Sequence, residues 1–210
     1  ATIDMIIIVF MFLAGVNFTL IWLAGSGNIK QAFRDEEFRT YLWYIGIAVA
    51  IITTTLLIAN YAAGASLRHT LFTVLSIGTS TGYSSTDYGS WPVLARLVLL
   101  ILMIVGACAG STSGGLKLMR IRLALKIAFR ELSRIAQPRK VQMIRMNGEV
   151  VEQKQVGLIV GMLFIWVALF AVSVILLALF MPDESFETII SVVAASLGNT
   201  GPALDSYGPS

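Results

Sequence analysis

The chain has 210 residues, 57% hydrophobic and 13% charged, with a mean hydropathy of +0.82. Charge is about half of what soluble domains carry and apolar content exceeds theirs, which excludes an ordinary water-soluble domain and identifies an integral membrane protein. The formal net charge is +3, one cysteine (Cys108) excludes an internal disulfide, and one histidine (His69) cannot build a metal site by itself.

Four stretches are long enough to cross a bilayer: 5–23, 41–61, 91–109 and 156–181. No basic segment precedes the first, so no signal peptide is visible. The loop 25–39 mixes Lys30, Arg34 and Arg39 with Asp35, Glu36 and Glu37. After the second span comes a half-length apolar segment, 66–77, and then Thr79-Ser80-Thr81-Gly82-Tyr83. His69, between Arg68 and Thr70 near the start of that segment, reads as an interfacial side chain.

The third span loses regularity after Val105, where Gly106-Ala107-Cys108-Ala109-Gly110-Ser111-Thr112-Ser113-Gly114-Gly115 begins. Each glycine costs about 1 kcal/mol relative to alanine in a helix, so a flexible break inside or just below the membrane is expected. Cys108, among small residues, reads as a packed small hydrophobe. A nucleotide-phosphate loop is excluded here: Leu118 follows Lys117, and an apolar span precedes the glycines where a strand is required.

Ten of the fifteen Lys and Arg residues then fall within 117–154, against Glu131, Glu149 and Glu152. The positive-inside rule puts this stretch in the cytoplasm. Leu123, Ile127 and residues 129–132 interleave with Arg120, Arg122, Lys126, Arg130 and Arg134, the pattern of an amphipathic helix on anionic lipid or of a docking surface for a cytoplasmic partner, two compatible readings. A turn at Gln137-Pro138-Arg139 and a short polar hairpin around Asn147-Gly148 follow. After the fourth span the pattern repeats: a half-length segment, 185–197, then Gly198-Asn199-Thr200-Gly201-Pro202. The chain ends at Ser210 without a further span and begins in mid-module, so it reads as a piece of a longer protein.

The interval from Ser66 to Thr81 equals that from Ser185 to Thr200. Each half-length segment has about 12 residues and spans about 18 Å, too short for a hydrocarbon core of about 30 Å. A short helix that returns as an irregular Gly-containing strand is tolerated at membrane depth only where it lines a water-filled path. Selecting a dehydrated cation requires several backbone carbonyls aimed at one point, a geometry that glycine permits, and the negative end of a short helix favours the ion. Counting spans, both half-helices enter from outside, where Asp87, Asp183, Glu184, Glu187 and Asp205 gather and concentrate cations.

Three motifs then carry a resemblance covering almost the whole chain. Residues 77–83 with Thr86-Asp87-Tyr88-Gly89-Ser90-Trp91-Pro92 resemble the third pore module of the Trk/Ktr/HKT superfamily of potassium transporters; residues 194–202 resemble the fourth. Residues 106–117 resemble the family's intramembrane loop, and with the basic hairpin the wording is nearest to bacterial TrkH-type membrane subunits.

The resemblance implies an all-α membrane protein of repeated helix–re-entrant half-helix–helix pore modules around a pseudo-fourfold pore, located in the bacterial inner membrane. It implies 1–25 as the closing helix of a preceding module, 26–40 as a cytoplasmic loop, 41–130 as a complete module, 131–155 as a basic linker and 156–210 as an incomplete last module. It further implies that Thr79, Ser80, Thr81, Gly82, Gly198, Asn199, Thr200 and Gly201 form filter strands, with potassium at Ser80, Thr81, Asn199 and Thr200. Gly106, Gly110, Ser111, Thr112, Ser113, Gly114 and Gly115 become the gate. A cytoplasmic nucleotide-binding regulator of the TrkA type docks on 117–154, the assembly is a homodimer in lipid, and neither an organic cofactor nor nucleic acid is involved. Tyr83 is followed by Ser84, and only Gly82 precedes it, so weaker sodium discrimination is expected than in channels with two filter glycines.

The rival reading is a secondary cation transporter, sodium- or proton-coupled, with discontinuous helices. It calls for an intramembrane carboxylate, whereas Asp4, Asp87, Asp183 and Asp205 lie at or near span ends. An intramembrane enzyme needs a nucleophile–base or metal cluster, which one His and one Cys in unrelated segments do not supply, and a scaffold has no use for two half-helix–Thr-Gly units.

Overall fold

The computed structural model describes residues 2–136, 143–204 and 207–208. In chain order the elements are α1 (Thr2–Ala14), α2 (Phe18–Gly25), α3 (Ile29–Arg34), α4 (Glu36–Ile58), α5 (Ala63–Gly78), α6 (Val93–Val105) and α7 (Leu118–Ala136). The hairpin β1 (Arg145–Met146) and β2 (Glu149–Val150) precedes α8 (Gln153–Phe180) and α9 (Phe186–Leu197). The expected turn at Gln137-Pro138-Arg139 lies outside the described residues.

Of the four expected spans, α4 and α8 are long and apolar enough to cross a membrane. The first is broken: α1 and α2 meet at 105° and qualify only as a bent pair. Gly15 is wedged against the Tyr41 hydroxyl and Thr79, and Asn17 caps α2 by accepting from the Thr19 N–H at 2.9 Å. A capping side chain in an apolar stretch starts a new helix. The third is also shorter than expected. Helix α6 has 13 residues, about 20 Å of helix, and stops where Gly106 takes φ 72°.

Helix α4 buries Tyr41, Ile45, Ala48, Ile52 and Leu56 along one face against α5 and α6. Helix α6 answers with Ala95, Leu99, Leu102 and Met103 and also touches α9, so it joins the first helix–half-helix pair to the second. Helix α8 packs on α7 and α9, and its most apolar stretch is not buried by the described residues. Its 28 residues rise about 42 Å, enough to span a bilayer with tilt. Leu123 of α7 is buried with Ile144, Met146 and Val156, so one side of α7 is covered by protein while Leu125, Phe129, Leu132 and Ile135 stay exposed. The hairpin turns on Asn147 and Gly148 at φ 50° and 86°, the two positive values that a tight two-residue turn requires.

The two half-helices differ at their starts. Ser185 is the N-cap of α9, accepting from the Thr188 N–H at 3.1 Å. Its counterpart Ser66 lies inside α5, which begins three residues earlier at Ala63, and its hydroxyl donates back to the Ala62 carbonyl at 2.8 Å. Replacing Ser185 by Ala therefore removes the partner of a helix-end N–H and should cost about 1 kcal/mol. Ser66→Ala should cost only a few tenths, since a back-bonded helical serine adds little. Thermal unfolding of the two variants in detergent checks the order; equal shifts would contradict it.

Candidate functional site

The two Thr-Gly segments share one backbone. After α5, the Thr79, Ser80 and Thr81 N–H groups donate to the Leu75, Ile77 and Ser76 carbonyls at 3.0, 3.1 and 2.9 Å. After α9, the Gly198, Asn199 and Thr200 N–H groups donate to Ala194, Ser196 and Ala195 at 2.8, 3.2 and 2.8 Å. Both chains then enter the left-handed region twice, at Ser80 and Gly82 (φ 56° and 77°) and at Asn199 and Gly201 (φ 51° and 99°). Gly82 is required on two counts: its φ disfavours a side chain, and a Cβ there would lie 2.6 Å from the Thr200 carbonyl oxygen. The segments therefore run side by side with their backbones in close approach.

Their bracing differs. The Thr79 hydroxyl donates to the Leu75 carbonyl at 2.7 Å and lies 2.7 Å from the Thr81 hydroxyl. The Ser76 hydroxyl donates to the Tyr83 carbonyl at 2.5 Å. In the second segment the matching positions are Ala195 and Gly198, which have no hydroxyl, and the buried Thr200 hydroxyl has no partner among the described residues. A side chain at 198 is barred because its Cβ would collide with the Met103 carbonyl oxygen at the end of α6.

The 106–115 loop packs against the origin of both segments. Ser80 ties the three together: its hydroxyl donates to the Gly198 carbonyl at 3.0 Å and accepts from the Gly114 N–H at 3.0 Å. Gly114 approaches so closely that any Cβ would overlap the Gly198 carbonyl oxygen. Ser113, almost fully buried, accepts from the Ala107 N–H at 3.0 Å and lies 3.3 Å from both the Gly78 carbonyl and the Ser80 hydroxyl. The loop then closes on itself, with the Leu116, Lys117 and Leu118 N–H groups donating to Ile104, Val105 and Ala107 at 3.0, 2.9 and 3.0 Å. The Lys117 ammonium donates to the Ser113 carbonyl.

The loop also fills the break between α1 and α2. The Cys108 N–H donates to the Gly15 carbonyl at 3.2 Å, and the Thr112 N–H and hydroxyl donate to Ala14 at 3.3 and 3.1 Å. In return, the Phe18 N–H donates to the Gly110 carbonyl at 3.1 Å. The Ser111 hydroxyl caps its own turn on the Cys108 carbonyl at 2.6 Å. Cys108 is fully buried, as its small neighbours suggest.

Three participants escape a sequence reading: Asn17, Ser76 and Glu37. A lone Asn in the first apolar span is the legible signal for Asn17. Glu37 reads as one acid among several in a loop, yet it lies in the first turn of α4, is 4% exposed and accepts from the Ala109 N–H at 2.5 Å. Of the expected acidic mouth, Glu187 pairs with Arg96 at 3.1 Å and Asp87 accepts from the Gly89 N–H at 2.8 Å, while Asp205 lies outside the described residues. Among the described residues no cluster of three His, Cys, Asp or Glu side chains gathers to hold a metal.

Comparison with known proteins gives this arrangement a family. The family model described as TrkH, cation transport protein, matches residues 1–208. The Trk system potassium uptake protein TrkH of Vibrio parahaemolyticus is 33% identical over 208 residues, covering 96% of this chain, and that of Escherichia coli K12 is 32% identical over 206 residues, covering 97%. The crystal structure of the potassium transporter TrkH from Vibrio parahaemolyticus superposes with a TM-score of 0.87 at 31% identity, covering 98% of this chain and 44% of that one. The chain spans 42% of the length of these two sequence relatives. With a family match along nearly its full length, the chain belongs to the TrkH family of cation transport proteins.

Proposed function

We propose that this chain is part of a potassium uptake pore in which backbone carbonyls of 79–82 and 198–201 select the ion and the 106–115 loop gates it. The observation that carries the reading is the pair of half-helices that end in like-bonded turns, with the Gly82 backbone packed so closely on the Thr200 carbonyl that a side chain has no room. Potassium as cargo is supported by the relatives named Trk system potassium uptake proteins. Transport rather than catalysis is the activity such a family supports.

Two helix C-termini, each equivalent to roughly half a negative charge, end where the segments begin, which favours a cation without a fixed carboxylate. A gate role for 106–115 is supported by its seat against Ser80 and Gly198, within two residues of the ends of the half-helices. The basic 117–154 stretch is read as cytoplasmic by its charge, and its exposed Phe129, Leu132 and Ile135 beside Arg130 and Arg134 suit a docking surface. A nucleotide-binding TrkA-type regulator, a homodimer and an inner-membrane location rest on the family resemblance. The sodium- or proton-coupled rival is not favoured: the one buried carboxylate among the described residues, Glu37, sits in the first turn of α4 and is taken up by the Ala109 N–H.

The test is ion flux in liposomes, potassium against sodium, on the full-length protein. Gly82→Ser should raise sodium permeation relative to potassium, because its φ and its contact with Thr200 both exclude a side chain. Thr79→Val should shift selectivity the same way and cost about 1 kcal/mol of stability, since it leaves the Thr81 hydroxyl without its partner. Unchanged selectivity in well-folded forms of both would refute the filter assignment. Deleting residues 110–113 should raise basal potassium flux at unchanged selectivity; flux that stays level or falls in a folded variant would mean that the loop packs the helix break and closes nothing.

For the docking surface, reversing Arg134, Arg139 and Lys140 to Glu should weaken binding of the regulator while membrane insertion persists. Arg139 and Lys140 lie outside the described residues. Retention of the regulator at moderate salt would leave lipid as the only ligand of this stretch.

A further inference from the structure

We propose that Glu37 is the positioning residue that holds the 106–115 loop against the two Thr-Gly segments; this rests on the gate reading above. Glu37 is a carboxylate at 4% exposure, among the least expected groups in a protein interior unless it is paired. No Lys or Arg reaches it within ion-pair distance among the described residues; its hydrogen bond is to the backbone N–H of Ala109, at 2.5 Å, in the middle of the loop. The Asn17 side chain and the Met119 backbone lie close enough to interact with the same carboxylate. One side chain therefore meets the α1–α2 break, the loop and the start of α7.

Glu37 is itself fixed by its chain neighbours. The Asp35 carboxylate caps α4 through the Phe38 N–H at 2.8 Å and accepts from the Asn147 amide of the hairpin at 2.7 Å. Asn147 in turn accepts from the Glu36 N–H at 2.8 Å. The Glu36 carboxylate pairs with Arg122 at 2.8 Å and Lys126 at 2.9 Å, both on α7. Residues 35 and 36 thus anchor the first turn of α4 to α7 and the hairpin, and residue 37 reaches the loop from that anchor.

Removing the carboxylate leaves the Ala109 N–H without an acceptor, a cost that falls on the seated loop and is relieved when the loop moves to water. A ligand-free equilibrium between seated and displaced loop then shifts toward displacement. Glu37→Gln retains an oxygen in the same place and keeps the acceptor.

The experiment uses full-length protein in liposomes. Glu37→Ala should raise basal potassium flux about tenfold, the equilibrium factor that leaving one buried N–H without an acceptor carries, with the potassium-to-sodium ratio unchanged. Glu37→Gln should stay near the parent. Hydrogen–deuterium exchange at the peptide holding Ala109 should accelerate in Glu37→Ala and not in Glu37→Gln, and the half-helices should keep parental protection. In the background lacking residues 110–113, Glu37→Ala should add nothing further, because both changes act on one element.

If the deletion raises flux and Glu37→Ala leaves both flux and exchange at Ala109 at parental values, the Glu37 assignment is overturned and the gate reading stands. If the deletion itself leaves flux unchanged, the gate reading falls and takes this inference with it. Additive effects, or a Glu37→Gln variant as leaky as Glu37→Ala, also overturn the positioning role.

Discussion

A helix broken in an apolar environment frees backbone N–H and C=O groups, and each costs on the order of 2 to 7 kcal/mol if it finds no partner. Among the described residues two such breaks, at 15–17 and at 106–115, satisfy each other. The Ala14 and Gly15 carbonyls, freed by the 105° bend, receive the Thr112 and Cys108 N–H groups, and the Phe18 N–H is received by Gly110. Neither break is tolerable alone. The rest of the architecture follows: α4 must stand where its first turn can reach Ala109, α6 must stop short, and α5 must bring Thr79 against Gly15.

The second constraint is duplication with unequal bracing. The backbones after α5 and α9 share three matching bonds, which a repeated sequence interval alone would lead one to expect; the Gly82 N–H adds a fourth, to the Ser76 carbonyl at 3.4 Å. Side chains do not follow the repeat. The first segment carries hydroxyls at 76 and 79 that hold its turn from within, whereas the second has Ala195 and Gly198, because the Met103 carbonyl occupies the space a side chain at 198 would need. The second segment is braced from outside, by α6 and by the Ser80 hydroxyl. The two copies are therefore mechanically dependent: what moves the end of α6 or Ser80 moves Gly198.

Much of this was legible in the sequence. The half-helices, the glycines at 82 and 201, the loss of helix after Val105, the basic helix and the Asn147-Gly148 hairpin are all local signals, each set by turn chemistry or hydrophobic period. What escaped was non-local. A hydropathy window over 5–23 averages Asn17 away, so a bent pair reads as one span. The start of α5 carries no capping side chain, and Ser66, the residue that looks like a cap, bonds backward inside the helix. Glu37 stands beside Asp35 and Glu36 in sequence, and only the loop folding over it, more than seventy residues away, separates a buried acid from two exposed to partners in α7 and the hairpin.

Two ionisable side chains grip the loop at two points. The Glu37 carboxylate takes the Ala109 N–H, and the Lys117 ammonium takes the Ser113 carbonyl. Backbone groups of a glycine-rich segment have little packing to hold them, since such residues bury almost no side-chain area, so directional bonds to ionisable groups carry what hydrophobic contact cannot. Lys117 accepts a φ of 70°, unfavourable for a side chain of its length, and its N–H returns to Val105 at 2.9 Å, which fixes the stem from which its ammonium reaches back into the loop. Strain of this kind, on the order of 1 to 3 kcal/mol, persists where the surrounding bonds over-determine it. The Lys117 ammonium takes the Ser113 carbonyl next to the Gly114 N–H that donates to the Ser80 hydroxyl, so the strained residue and the loop's contact with Ser80 belong to one structural unit.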